Sequence, residues 1–198
     1  MKVLSFIHQK GGTGKSTLSI ATAQTLAAGG SRVLLMDADY QGTASEWGNR
    51  YGSRFQVETR SQVQPILHEE KARFSRTCDW MVIDGPPSLS PMTESILKAS
   101  DRVIIPLRPS LPDVWALTWL AAIITKLGRE GHSPRVSVVV NMSQGEDLAP
   151  IRTELAKWGL HLDPEPLPAH PGFRDLFLGN PLPPDLAERM TALLEEQD

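Results

Sequence analysis

The segment that most restricts the fold is Val3-Leu4-Ser5-Phe6-Ile7, followed by Gln9-Lys10-Gly11-Gly12-Thr13-Gly14-Lys15-Ser16. A short apolar run, a glycine-rich turn and a lysine–serine pair opening an Ala-, Leu- and Thr-rich stretch call for strand, tight loop and helix in that order. Gly11, Gly12 and Gly14 let backbone N–H groups turn toward an anion, and a helix from Lys15 to Ala28 adds its positive end. Lys15 is placed to reach β- and γ-phosphates, and the Ser16 hydroxyl to ligate Mg²⁺. The string departs from the usual phosphate-loop pattern twice: Gln9 stands where glycine is expected, and Lys10 is an additional cation. On spacing alone Lys10 is read equally as a solvated charge or as a cation beside a nucleotide.

Further apolar runs at Arg32–Met36, Asp79–Ile83, Arg102–Leu107 and Arg135–Val140 lack polar alternation, which suits central strands covered on both faces. Helical stretches are expected at 43–51, 62–74, 93–99, 114–129 and 148–158, with a short one from Asp185. The alternation predicts an α/β fold, a doubly wound and mostly parallel sheet with helices on both faces, in one domain spanning residues 1–198. Ligands in such sheets sit at the carboxyl ends of strands, so the loops after Ile7, Met36, Ile83 and Leu107 carry the most information. The proline-rich stretch 163–184 is expected to be irregular, with Phe173, Leu176, Phe177 and Leu178 buried.

Two of those loops carry carboxylates. In Asp37-Ala38-Asp39-Tyr40-Gln41-Gly42 one aspartate can face Mg²⁺ and the γ-phosphate while the other anchors the loop; a capped turn without a ligand is the plain alternative. In Trp80-Met81-Val82-Ile83-Asp84-Gly85-Pro86-Pro87 an apolar strand ends in Asp84, the arrangement of a Walker B carboxylate that holds Mg²⁺.

The single Cys78 permits no internal disulfide and no multi-thiolate metal cluster, so a reducing cytoplasm is the expected compartment. No apolar window approaches the ~18 residues of a membrane span, and nothing resembles a secretory leader. The net charge of −3 argues against general affinity for nucleic acid but leaves room for a local basic patch.

Together, Lys10-Gly11-Gly12-Thr13-Gly14-Lys15-Ser16-Thr17, Asp37-Ala38-Asp39-Tyr40-Gln41-Gly42 and Ile83-Asp84-Gly85-Pro86-Pro87 resemble the ParA/MinD family of deviant Walker P-loop ATPases. The likeness continues through Ile104–Asp113 and, more loosely, 173–181. Tyr40 stands where that family usually has proline, and Gly85 where threonine is common. The resemblance implies ATP and Mg²⁺ as cofactors, held by Lys10, Gly11, Gly12, Thr13, Gly14, Lys15, Ser16 and Thr17, with Ser16 and Asp84 at the metal. It implies that Lys10 reaches the partner subunit's ATP across a homodimer, and that Asp39 positions the hydrolytic water. Asn141 and Pro168 fall in segments that flank the adenine.

Subfamilies are separated by what the chain lacks. Iron–sulfur relatives need more cysteine, the tyrosine-kinase relatives carry a tyrosine cluster where this chain has only Tyr40 and Tyr51, and MinD-type proteins end in a basic amphipathic helix. Here the stretch from Asp185 to Asp198 has an acidic polar face, so core packing through Leu186, Met190, Leu193 and Leu194 is expected, and no membrane contact. The first strand begins at Lys2, with no space before it for a helix-turn-helix domain. What remains is a small ParA-like ATPase that partitions or positions a plasmid, chromosome region or protein assembly such as carboxysomes. It would bind DNA non-specifically on the nucleoid, with slow hydrolysis stimulated by a small adaptor or centromere-binding protein. Arg152, Lys157 and Arg174 are the candidate DNA contacts, although residues beyond 125 hold seven Lys/Arg against twelve Asp/Glu. Trp115 and Trp119 are expected in core or dimer packing. The competing readings are a metabolic ATP-dependent ligase or kinase, and a nucleotide-dependent scaffold in a secretion or polysaccharide-synthesis assembly.

Overall fold

The structure is a computed structural model that describes residues 1–194; the expected acidic end at 195–198 lies outside the described residues. Seven strands form one sheet in the order β3-β2-β4-β1-β5-β6-β7, and every pairing is parallel. The strands are β1 (Lys2–Phe6), β2 (Val33–Asp37), β3 (Val57–Ser61), β4 (Trp80–Asp84), β5 (Arg102–Leu107), β6 (Arg135–Val140) and β7 (His161–Leu162). The helices are α1 (Lys15–Ala28), α2 (Thr43–Trp47), α3 (Leu67–Phe74), α4 (Pro91–Ala99), α5 (Leu111–Trp115), α6 (Thr118–Arg129), α7 (Ala149–Ala156), α8 (Pro171–Asp175) and α9 (Pro184–Leu194).

Strand residues divide strictly between two cores because side chains alternate across a sheet. Val3, Leu34, Met36, Met81, Ile83, Val103, Ile105, Val138 and Val140 face the layer of α3 to α7. Leu4, Phe6, Val33, Leu35, Val82, Ile104 and Val139 face the layer of α1, α2, α8 and α9. Both faces being covered explains the unbroken apolar runs.

Several expectations are corrected. The edge strand β3 reads Val-Glu-Thr-Arg-Ser and is mostly exposed, so it carries no apolar signature. The helix expected from Gln62 starts only at Leu67, after Pro65, and the helix over 114–129 is two helices, α5 opening earlier on a Ser110 cap. The stretch 43–51 continues from α2 into a π turn, Gly48–Gly52. Phe173 and Leu176 are buried as expected, but Phe177 is 36% and Leu178 67% exposed. They lie on a single 3₁₀ turn, Leu176–Leu178, which presents one of its three residues inward. Trp115 and Trp119 are 55% and 71% exposed and take no part in the core of this subunit. In α9, Leu186, Met190 and Leu193 are buried against the α1 layer.

Candidate nucleotide-binding site

Sheet register gathers the site. Phe6 and Asp37 both pair with Asp84, so β1, β2 and β4 end level, and their following loops emerge side by side. Asp84 is fully buried; burial first, then the nearby Asp37, raises its carboxyl to about 7, against the opposing Ser16 hydroxyl and Lys15. Ser19 Oγ lies 3.5 Å from Asp84 Oδ1, whereas Oδ2 has no hydrogen-bond partner among the described residues. Lys15 is buried and donates to the Lys10 carbonyl at 3.0 Å; burial lowers its amine, with Asp84 and Asp39 acting in the other direction.

The two aspartates after β2 divide their work. Asp37 accepts from the Asp39 and Ser45 backbone amides at 3.1 and 2.7 Å, which anchors the loop to the start of α2. Asp39 is 8% exposed, accepts from Gln41 N at 3.1 Å and stays close enough to Lys15 to act on its charge. After β4, Gly85 passes so close to β1 that a Cβ there would stand 2.7 Å from the Phe6 carbonyl oxygen. The loop following Asp84 is therefore pressed against the strand that delivers the glycine turn, and a side chain at residue 85 has no room.

Lys10 leaves the glycine cradle altogether. Its backbone amide donates to His8 Nδ1 at 2.9 Å, and its amine reaches Pro112 O at 2.8 Å and Asp113 Oδ1 at 3.0 Å. Asp113 also takes Arg108 Nε on Oδ2 at 2.9 Å and an Arg108 terminal nitrogen on Oδ1 at 3.1 Å. Burial alone would raise the Asp113 carboxyl, but the hydrogen bonds and charges of Arg108 and Lys10 hold it at about 2. His8 is buried, and burial together with Lys15 lowers it to about 4, so it stays neutral and free to accept. Asp113 was not singled out from the sequence. Its place in the first turn of α5, directly after the loop that follows Leu107, one of the four at strand carboxyl ends, was the available signal.

Beside the cradle lies a cavity of about 400 Å³ lined by Thr17, Asn141, Pro168, His170, Phe173 and Arg174 among others. Asn141 spends its amide on the Thr13 carbonyl at 2.9 Å, so it also braces the glycine turn. The three candidate DNA contacts are not brought together. Arg152 and Lys157 belong to α7 and the residue that follows it, over one face of the sheet, whereas Arg174 sits on α8 over the other. Lys157 is paired with Glu154 at 2.5 Å, and Arg174 borders the cavity.

The residues fit a nucleotide and Mg²⁺. A Cβ at Gly11 or Gly12 would meet nothing within 4 Å, leaving a cradle, and unpartnered buried atoms (Gln9 Oε1, Thr13 Oγ1, Asp84 Oδ2) border it among the described residues. Mg²⁺ keeps several waters and rests on one or two protein ligands plus phosphate.

The sequence profile of the CobQ/CobB/MinD/ParA nucleotide binding domain matches residues 4–159. The chain belongs to this family. Within it, the chain is 34% identical over 117 residues to "Maintenance of carboxysome distribution protein A" of Gloeobacter kilaueensis, covering 59% of this chain and 53% of that protein. It is 27% identical over 179 residues to the "Chromosome-partitioning ATPase Soj" of Thermus thermophilus, covering 73% and 71%. The match thus spans about half of the carboxysome protein's length. Among solved structures, a Cyanothece McdA–ATP complex superposes with a TM-score of 0.76 at 19% identity, covering 100% of this chain and 98% of that one. That likeness is one of fold. Among the described residues no helix is long and apolar enough to cross a membrane.

Proposed function

We propose that this chain is a ParA-like switch ATPase, one domain that dimerises on binding ATP with Mg²⁺ and, as a dimer, holds DNA non-specifically. On that reading it positions a cargo on the nucleoid until an adaptor stimulates its slow hydrolysis. The observation that carries the proposal is the parting of the two lysines around one glycine turn: Lys15 lies inside the cradle, and Lys10 points out of it at the rim. Family membership and relatives named for carboxysome distribution and chromosome partitioning support the class of job.

Bound ATP–Mg²⁺ would supply a phosphoanhydride bond and a charge for the dimer to read. Lys15 would neutralise the β- and γ-phosphates, Ser16 and Asp84 would hold the metal, and Asn141 and Pro168 would flank the base. Asp39, near the cradle and free of the anchoring duty that Asp37 takes, would orient the attacking water. Exposed Arg152, Lys157 and Arg174, the last two beside Glu154 and Asp175, are the basic residues that would meet phosphates, and dimerisation doubles their number.

Sedimentation with and without ATP–Mg²⁺, together with duplex binding at several salt concentrations, tests the reading. Asp39→Ala should give a persistent ATP dimer that binds arbitrary DNA and does not hydrolyse. A monomer under all nucleotide conditions, or steady turnover of a small-molecule substrate without any protein partner, would refute it and favour the metabolic enzyme.

A further inference from the structure

Lys10 is held within its own subunit. Its amine is satisfied by two acceptors in the first turn of α5, the Pro112 carbonyl and the Asp113 carboxylate. The Asp113 side chain is 1% exposed, so ionised it needs cations close by; the Lys10 side chain is 35% exposed and Arg108 49%. The carboxylate is thus shared between a cation that must stay, in the loop just before α5 and five residues away, and one that the proposed switch requires elsewhere.

Arg108 makes that sharing reversible. Its bidentate grip occupies both Asp113 oxygens, and the Asp113 backbone amide is tied to Ser110 Oγ at 3.3 Å. When Lys10 leaves, Asp113 keeps a planar two-point partner and is not stranded as a bare buried charge. Without Arg108, departure of Lys10 would leave the carboxylate uncompensated, and the amine would be held far harder.

We propose that Asp113 is a positioning residue that anchors Lys10 within its own subunit, and that Arg108 sets how readily the anchor releases it toward a second copy of the chain. The proposal rests on Lys10 serving the partner subunit, and it adds a competing intrasubunit site that ATP and the partner must win against.

The test is the ATP concentration needed for half-maximal dimerisation, read by sedimentation for wild type, Asp113→Asn, Arg108→Ala and Lys10→Ala, with thermal melts to verify folding. A half-exposed pair is discounted for solvent, so Asp113→Asn should lower that concentration roughly three- to tenfold. Arg108→Ala should raise it, because Asp113 then leans on Lys10 alone. Opposite signs are the signature; a purely structural role would move both variants the same way, and that result overturns the proposal. So does an unchanged or raised requirement in folded Asp113→Asn. If Lys10→Ala dimerises like wild type, the partner-directed lysine itself fails; if Lys10→Ala is defective while Asp113→Asn is unchanged, the anchor alone fails. Pulsed amine acylation of nucleotide-free wild type needs no variant: Lys10 should react more slowly than exposed Lys2, and equal rates refute the anchor.

Discussion

Replacing Gly14 by alanine probes the joint between the glycine turn and the cavity. Gly14 has φ of +98°, and an added Cβ would stand 2.1 Å from Asn141 Nδ2. The backbone strain alone costs about 1–2 kcal/mol. The side chain of Asn141, 3% exposed, must also swing away and lose its 2.9 Å bond to the Thr13 carbonyl. Leaving those buried groups unpaired adds about 1–3 kcal/mol. The sum is about 3 kcal/mol, or roughly 6–12 °C in melting temperature for a chain of this size. In an Asn141→Ala background the obstruction is gone, and Gly14→Ala should cost only the strain, about 1–2 kcal/mol. Chemical denaturation of the four proteins closes the cycle, with a coupling of about 1–3 kcal/mol expected. Additive costs within about 0.5 kcal/mol would sink the claim that Asn141 braces the turn.

Two further outcomes follow from burial. Asp84, raised to about 7, keeps a proton between about pH 4 and 7 that the unfolded chain has released, so its contribution to stability falls as pH rises through that window. His8, lowered to about 4, works oppositely, because between about pH 4 and 6.5 it is the unfolded chain that holds the extra proton. Asp84→Asn should therefore make nucleotide-free stability climb more steeply from pH 4.5 to 6.5 than in wild type, by at most about 1.4 kcal/mol per pH unit; parallel urea-unfolding series would contradict this. Trp47 is 2% exposed, donates to Leu176 O at 3.0 Å and stacks on Phe55. Trp47→Ala should cost about 3–5 kcal/mol by equilibrium unfolding, and a loss below 1 kcal/mol would mean that this contact is not where α2 is held.

The central sheet was legible because β1, β2, β4, β5 and β6 are buried on both faces and spell that out in Val, Ile, Leu and Met. The edges were not: β3 has one covered position followed by exposed polar ones, and β7 is two residues long. Trp115 and Trp119 show a different limit. A single helix over 114–129 would carry both in core or dimer packing, but the helix breaks between α5 and α6, and both side chains are exposed. In the site, each element carried by one contiguous string was readable: the glycine turn, the Asp37–Gly42 loop and the end of β4. What escaped was the pairing of Lys10 with Asp113, which are joined only because β1 and β5 lie side by side. No local periodicity links residues so far apart. The split of duties between Asp37 and Asp39 likewise needed the observed bonds to Ser45 and Gln41.

The place of β1 in the middle of the sheet has a consequence for how the protein is made. Its neighbours are β4 and β5, so β1 has no strand to pair with until Trp80–Asp84 have been synthesised. At about 5–20 residues per second, that delay is on the order of 4–16 s, during which an apolar segment waits without its sheet. A chain that stops before β4 cannot pair β1, and such truncations should yield aggregation-prone fragments and not weak binders. Lys10 precedes Asp113 by 103 residues, so it can be fixed in place only after Asp113 exists.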